Sequence, residues 1–198
     1  ICSGLNLIID SKIYTKHSKS LIMNEKYVLG HLRNIPNFPK KGIQYKDINF
    51  LFTDAGVIKE LSDELVCRYK NKGITKIVGV ETRGIIMAAI LAEKLNAGLV
   101  MCRKKGKMPG ETKSEKYEKE YGFDEIEIQE NSITKDDVVL IHDDLLATGG
   151  SMKAAYNLVQ KFSPKDVFMN FIFELKSECP DGRKALPSNI DVQSLIVI

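Results

Sequence analysis

The sequence predicts an α/β fold with a mainly parallel central sheet flanked by helices. Strand and helix signals alternate from residue 74 to residue 173, which is the order expected of repeated strand–helix–strand units. Residues 138–141 are four consecutive aliphatic side chains, a run typical of a central strand buried on both faces. The chain has 198 residues, of which 43% are hydrophobic and 28% are charged, a composition that suits a globular domain with a substantial core.

Apolar spacing and helix-breaking residues define the individual elements. Apolar residues at helical spacing predict a helix over 24–35, which Pro36 would end. Thr53 or Asp54 can cap the next helix, whose apolar face runs from residue 57 to 66. Residues 104–124 are polar and punctuated by Gly and Pro, so we expect a loop. The other predictions are strands over 74–80, 99–102, 126–129, 138–141, 167–173 and 195–198, the last at an edge, and helices over 85–95 and 152–162.

The first 22 residues differ from the rest of the chain. They lack the basic start, long apolar run and small-residue cleavage site of a signal peptide. We expect residues 1–22 to be an extension without function, either non-native or disordered, with Met23 as the natural start. The alternative is an arm that packs on a partner subunit.

Charge and cysteine usage exclude several classes of protein. The net charge is only +3, which is too weak a basic surplus to indicate nucleic-acid binding. No run of about 18 apolar residues is present, so we expect no membrane span. The four cysteines show no CxxC spacing, which argues against a zinc site or a disulfide framework. Cys67 and Cys102 lie in apolar stretches, so we expect buried thiols and a cytoplasmic protein.

The strongest site signal is the string 138–151, in which a buried strand leads into two acids and a small-residue turn. Ligands of parallel sheets sit beyond the carboxyl ends of the strands. Asp143 and Asp144 would accept hydrogen bonds from vicinal ribose hydroxyls. The turn that follows would bind a phosphate at a helix N-terminus, so together they indicate a ribose 5-phosphate. The alternative is a purely structural strand-to-helix turn. The turn residues are Ala147, Thr148, Gly149, Gly150 and Ser151.

Two further segments carry positive charge near predicted strand ends. Arg83 follows the strand over 74–80 and could fork onto a phosphate, or could be a solvated surface side chain. Residues 103–107 hold four cations, and a charge run of this kind is usually a solvated face. Within it we choose Arg103 and Lys107 as phosphate contacts and expect part of the pair Lys104 and Lys105 to be merely exposed.

These segments resemble, in order, the motifs of the type I phosphoribosyltransferases, and most closely those of the adenine phosphoribosyltransferases. Residues 143–151 resemble the loop that binds phosphoribosyl pyrophosphate (PRPP), and residues 80–84 resemble the pyrophosphate loop. Residues 103–110 resemble the Arg-Lys-x-Gly-Lys-Leu-Pro-Gly segment, with Met108 in place of Leu. Residues 120–122 resemble the lid motif, and residues 38–47 the base-binding segment. The resemblance runs from about residue 25 to the end of the chain.

The resemblance implies a fold, a reaction and partners. It implies a type I phosphoribosyltransferase-like domain over 23–198, with a small hood at about 23–50 and a flexible lid at about 104–124. The reaction would convert adenine and PRPP into AMP and pyrophosphate. Mg²⁺ would be bound mainly through PRPP, with no certain protein ligand, and the protein would be a homodimer.

The resemblance also implies roles for individual residues. Glu120 and Asp143 would be catalytic, with Glu120 exchanging a proton with the purine and Tyr121 completing the lid. The peptide bond between Glu81 and Thr82 would be cis. The implied pyrophosphate contacts are Arg83, Arg103 and Lys107, and the implied adenine contacts are Gln44, Tyr45, as a stacking ring, and Lys46.

Two alternatives remain open at this point. The base could be another purine, because Tyr45 and Lys46 stand where many relatives have Phe and Arg. The chain could also be a PRPP-sensing regulator without catalysis, although residues 1–22 are too short for a winged helix. His142 departs from the aliphatic residue usual before the acidic pair, and we assign it no chemistry.

Overall fold

The structure is a computed structural model that describes residues 23–118 and 122–198. The predicted extension over 1–22, the catalytic prediction for Glu120 and the lid prediction for Tyr121 therefore lie outside the described residues.

A mixed sheet forms the centre of the described part of the chain, which confirms the predicted α/β class. The seven strands are β3 (Lys76–Val80), β4 (Gly98–Lys104), β5 (Thr112–Glu118), β6 (Phe123–Gln129), β7 (Val138–Leu146), β8 (Asp166–Glu174) and β9 (Val192–Val197). Their spatial order is β5-β6-β4-β3-β7-β8-β9. The strands from β4 to β9 in this order run parallel, whereas β6 pairs antiparallel with both β4 and β5.

Helices cover both faces of this sheet and bury its alternating side chains. Helices α2 (Ala55–Tyr69) and α3 (Gly84–Lys94) pack against the face that carries Leu140. Helix α4 (Gly150–Gln160) packs against the opposite face, with Val139 and Ile141. None of the helices among the described residues is both long and apolar enough to cross a membrane.

Helix α2 begins as the sequence predicts. The side chain of Asp54 accepts a hydrogen bond from the backbone N–H of Val57 and caps the helix. On the outer side of the same helix Cys67 is exposed, so the prediction of a buried thiol there is wrong, whereas Cys102 of β4 is fully buried.

The N-terminal part forms a small antiparallel sheet beside the main one. Helix α1 (Glu25–Gly30) is followed by β1 (Arg33–Pro36) and β2 (Gln44–Asp47), which pair with each other. The helix expected over 24–35 therefore ends five residues early, because residues 33–36 find hydrogen-bond partners in 44–47 rather than in the preceding turn. A 3₁₀ turn (Ile48–Thr53) leads from this sheet into α2.

The predicted loop over 104–124 contains a strand. Strand β5 pairs with β6 along its whole length, and its polar side chains contact polar groups of α4 and the residue after it. Lys161 Nζ lies 2.7 Å from Glu115 Oε2, and Asn157 donates a hydrogen bond to Glu115. Polar residues are therefore tolerated in β5 because a neighbouring helix supplies their partners.

Candidate active site

Three adjacent parallel strands bring the predicted site segments to one edge of the sheet. Strands β4, β3 and β7 are neighbours, so their carboxyl ends meet there. A cavity of about 280 Å³ opens at this edge between the ends of β3 and β7 and the start of α4. Its lining comprises Glu81, Thr82, Arg83, Asp143, Asp144, Leu145 and Ser151.

The two acids lie within β7 rather than after it. The strand was expected over 138–141, but its pairing with β8 continues to Leu146, opposite Glu174. Asp143 and Asp144 are consequently buried, and the N–H of Asp144 donates a 2.9 Å hydrogen bond to Asp143 Oδ1. Burial and the neighbouring Asp144 charge raise the pKa of the Asp143 carboxyl well above its ordinary value.

Arg83 connects the acid pair to the N-terminal sheet. Its Nε donates a hydrogen bond to Asp144 Oδ2, and its Nη1 donates a 2.6 Å hydrogen bond to the hydroxyl oxygen of Tyr45. The guanidinium is thus held between β7 and β2, and Arg83 lines the cavity. The peptide bond between Glu81 and Thr82 in the same turn is cis, as expected.

The predicted phosphate turn leads from β7 into α4. Gly149 has a φ of +80°, a conformation that glycine adopts readily, and it stands at the cap position of α4. Among the described residues no side chain caps the helix, so they supply no side-chain acceptor for the backbone N–H groups of its first turn. Thr148 is exposed and Ser151 lines the cavity. This arrangement can accept an anion at the helix N-terminus.

The basic segment after β4 forms a turn held by acids. Arg103 Nε lies 3.2 Å from Glu81 Oε2, and Arg103 Nη1 donates a 3.0 Å hydrogen bond to the carbonyl of Lys107. Lys104 and Lys105 pair with carboxylates of β6 at 3.5–3.8 Å. In contrast, Lys107 is exposed, and its Nζ has no ion-pair partner among residues 23–118 and 122–198.

Sequence reasoning missed Glu127 as the anchor of this turn. Its Oε1 accepts hydrogen bonds from the backbone N–H groups of Lys107 (3.1 Å) and Met108 (3.0 Å), and its Oε2 from the hydroxyl of Thr112. The side chain is almost fully buried. Burial alone would raise the pKa of Glu127, but these donors outweigh burial and lower it. The alternation of acids and isoleucines over 125–128 was the available signal, and it did not single out this carboxylate.

The three predicted base contacts lie on β2. Gln44 Oε1 accepts a 2.7 Å hydrogen bond from Asn34, and Lys46 Nζ lies 3.8 Å from Glu178. The ring of Tyr45 meets the ring of Phe38 edge to face, with centroids 5.0 Å apart. The contact of the Tyr45 hydroxyl with Arg83 has no signal in the sequence, because the two residues are 38 positions apart.

His142 is buried beneath the acid pair. Its Nδ1 lies 2.5 Å from Asn170 Oδ1 on the neighbouring strand. Within the described part of the chain, His142 Nε2 and Asn170 Nδ2 have no hydrogen-bond partner. Burial lowers the pKa of His142 to about 4, so the imidazole is neutral near pH 7.

The comparisons with known proteins all indicate the same family. Residues 51–184 match the phosphoribosyl transferase domain model, which is more than half of the chain. A curated adenine phosphoribosyltransferase of Bacteroides fragilis is 48% identical over 178 residues, covering 89% of this chain and 99% of its own length.

Solved structures agree with this sequence match. The crystal structure of adenine phosphoribosyltransferase from Rhodothermus marinus has a TM-score of 0.81 and 38% identity, covering 87% of this chain and 97% of that one. The Saccharomyces cerevisiae enzyme, crystallised with adenine and an imino-altritol bisphosphate, has a TM-score of 0.78 and 38% identity, covering 86% and 97%. The chain therefore belongs to the phosphoribosyltransferase family, and within it to the adenine phosphoribosyltransferases.

Proposed function

We propose that this chain transfers the 5-phosphoribosyl group of PRPP to adenine, giving AMP and pyrophosphate in purine salvage. The observation that carries this proposal is the meeting of a buried acid pair, the N-terminus of α4 and Arg83 around one cavity. A sugar phosphate needs acceptors for its hydroxyls and donors for its phosphate, and this edge of the sheet supplies both. The relatives at 48% identity are adenine phosphoribosyltransferases, which supports adenine as the base.

The ribose 5-phosphate would be held by β7 and the turn after it. The backbone N–H groups of residues 147–151, with the hydroxyls of Thr148 and Ser151, would bind the 5-phosphate. Asp143 and Asp144 would accept hydrogen bonds from the ribose hydroxyls. Their negative charge would stabilise the positive charge that develops at the anomeric carbon as pyrophosphate leaves.

The departing pyrophosphate would meet cations from two turns. Arg83 has N–H groups beyond the two that bind Asp144 and Tyr45, and these could fork onto a phosphate. Lys107, in the turn after β4, presents an ammonium without an ion-pair partner among the described residues, while Arg103 holds that turn through Glu81 and the Lys107 carbonyl. We therefore propose that Arg83 and Lys107 contact the pyrophosphate directly. Arg103 would contribute through the turn that carries Lys107.

The base would bind at β2, under the N-terminal sheet that we propose as the hood. Tyr45 would stack on the purine, and backbone groups near Gln44 and Lys46 would read its edge. Glu120 would exchange a proton with the purine ring, and Tyr121 would help the lid exclude water, which could otherwise capture the sugar cation. Both of these residues lie outside the described part of the chain.

Mg²⁺ fits this site as an ion bound mainly by the substrate. Among the described residues, no three His, Cys, Asp or Glu side chains cluster in a way that could hold a metal. Three acids line the cavity, Glu81, Asp143 and Asp144, and Mg²⁺ characteristically binds one or two carboxylates together with substrate phosphates and water. Asp143 and Asp144 are the residues that would face it. When bound, Mg²⁺ supplies positive charge that neutralises the pyrophosphate.

We propose a homodimer that uses the exposed apolar face beside α3. Ile86 of α3 is 40% exposed, and Leu99 and Met101 of β4 are 41% and 39% exposed. Helix α3 and β4 contact each other, so a second copy could cover these apolar side chains together. Cys67 and Cys102 are free thiols, which favours a reducing compartment, and we propose the cytoplasm.

The test is AMP formation from PRPP and Mg²⁺ with adenine, hypoxanthine or guanine as the base. We expect turnover with adenine alone, and a large loss in both Glu120→Ala and Asp143→Asn. Turnover with a different purine would overturn the assignment of the base. Saturable PRPP binding without turnover of any base would overturn the enzymatic assignment and favour a sensing role.

A further inference from the structure

A turn near the C-terminus lies in direct contact with the proposed phosphate turn. The 3₁₀ turn Gly182–Ala185, which we call the buttress turn, follows β8 by seven residues. A Cβ atom added to Gly182 would lie 1.8 Å from the carbonyl oxygen of Ala147 and 3.0 Å from its carbonyl carbon. In return, a Cβ on Gly149 would lie 2.4 Å from the carbonyl oxygen of Gly182. Two backbones therefore approach each other more closely than any side chain would permit.

Close approach alone explains the glycine at position 182. Gly149 has a positive φ, so its conformation by itself favours glycine. Gly182 has no positive φ and begins a 3₁₀ turn, a conformation that alanine adopts without strain. The obstacle to a side chain at 182 is the Ala147 carbonyl, which belongs to the turn that would bind the phosphate.

The buttress turn is anchored to the sheet by a network of ionic hydrogen bonds. Arg183 forks onto the carboxylate of Glu174, with Nε 3.1 Å from Oε1, and its Nη1 donates a 2.7 Å hydrogen bond to the carbonyl of Val192. The hydroxyl of Ser194 donates to the same carboxylate at 2.8 Å. Glu174 is the register partner of Leu146, the last residue of β7 before the phosphate turn. The residue that holds the buttress turn and the residue that leads into the phosphate turn are therefore paired across β8 and β7.

We propose that Gly182 is a positioning residue for the phosphate turn, and that the anchored buttress turn fixes residues 147–149 in the conformation that grips the 5-phosphate. This inference rests on the proposed function of the same site. A fixed turn presents its N–H groups already aligned and avoids the entropic cost of ordering them on binding. A side chain at 182 would push the Ala147 carbonyl away and rotate the neighbouring N–H groups out of alignment.

The test is the affinity of ribose 5-phosphate, measured by calorimetry, for the wild type, Gly182→Ala and Gly30→Ala. Gly30 is the matched control, because its φ is not positive and an added Cβ would meet nothing within 4 Å. We expect Gly182→Ala to weaken ribose 5-phosphate by about 10- to 100-fold, as for a misplaced binding group. In the same protein the affinity for pyrophosphate, which carries no 5-phosphate, should stay within about twofold, since a merely structural defect would not separate the two ligands. Unchanged ribose 5-phosphate affinity in folded Gly182→Ala would overturn the inference.

A second pair of variants keeps the test decisive if Gly182→Ala does not fold. Arg183→Lys retains the charge but loses the fork onto Glu174, and Arg183→Met loses both. We expect the affinity for ribose 5-phosphate to fall in the order wild type, Arg183→Lys, Arg183→Met, with the affinity for pyrophosphate unchanged. Equal affinities in all three proteins would overturn it. Failure of the proposed function would appear separately, as absent AMP formation by the wild type.

Discussion

The two halves of the candidate site are built in different ways. The half around β7 consists of buried carboxylates and backbone N–H groups, held by strand pairing and by the buttress turn. The half around the basic turn after β4 consists of exposed cations, held in place by acids such as Glu81 and Glu127. In the first half, which is buried, ligand binding should depend mainly on the geometry of the binding groups. In the second half, which is exposed, ligand binding should depend mainly on charge and should be weakened by salt.

Removal of a charge from the buried half should have the largest effect. Asp144→Asn removes the ionic partner of Arg83 and the neighbouring charge that, together with burial, raises the pKa of Asp143. We expect kcat/KM for PRPP to fall by about 100-fold, the usual cost of one preorganised electrostatic group. The matched control is Asp136→Asn, in an exposed loop outside the cavity, which should leave the kinetics unchanged. A loss of less than threefold in Asp144→Asn would contradict the importance of the buried half.

Removal of a charge from the exposed half should cost less and should depend on salt. Lys107→Met removes an exposed ammonium, and we expect KM for PRPP to rise by about 10-fold, equivalent to one hydrogen bond to a charged group. The difference from wild type should shrink when ionic strength rises, because exposed charges are screened. Lys104→Met, which removes a cation already paired with Asp124, serves as the control. An effect of Lys107→Met that does not change with ionic strength would contradict the proposal that the exposed half binds mainly through charge.

The hydroxyl of Tyr45 accepts a hydrogen bond from Arg83 and so links the candidate site to the N-terminal sheet. Its removal should have a small effect on PRPP binding. Tyr45→Phe keeps the aromatic ring and its contact with Phe38, but deletes the acceptor for Arg83 Nη1. We expect KM for PRPP to rise about threefold, the lower range for one hydrogen bond, with KM for adenine unchanged. If KM for adenine rises while KM for PRPP does not, the hydroxyl acts on the base and not on Arg83.

His142 should make the free energy of unfolding depend on pH, but it should not affect activity at pH 7. The unfolded chain protonates this histidine near pH 6.5, whereas burial holds the pKa in the folded protein at about 4. The free energy of unfolding should therefore fall as pH is lowered from about 6.5 to about 4, by up to about 3 kcal/mol from this group.

His142→Val isolates that contribution. It should reduce the acid slope measured by urea unfolding, even though loss of the donor to Asn170 lowers stability at pH 7. An identical slope in wild type and variant would show that other groups set the acid sensitivity. The carboxylates whose pKa values are lowered by hydrogen bonds, such as Asp137 and Glu174, would then be the candidates.

Local sequence signals predicted the order of strand, turn and helix around β7, but neither the full length of the strand nor the contacts that support the turn. The run over 138–141, the two acids and the glycine turn are contiguous, so periodicity and turn chemistry are enough to place them on one strand and helix. The buttress turn contacts Ala147 from 35 residues away, and no local pattern carries that information.

The other differences have the same physical origin. The sequence of β5 is polar enough to predict a loop, and its strand exists because β6 and α4 supply partners. The helix expected over 24–35 loses its second half to pairing between β1 and β2. In each case a contact distant in sequence overrides a local preference.

The most direct test of the whole account is a crystal structure of the protein with AMP and pyrophosphate. We expect the 5-phosphate on the backbone N–H groups of residues 147–151, the ribose hydroxyls on Asp143 and Asp144, and pyrophosphate within hydrogen-bond distance of Arg83. We also expect Gly182 still to contact Ala147. AMP bound with its phosphate elsewhere, or a phosphate turn displaced from the buttress turn in the bound state, would contradict it.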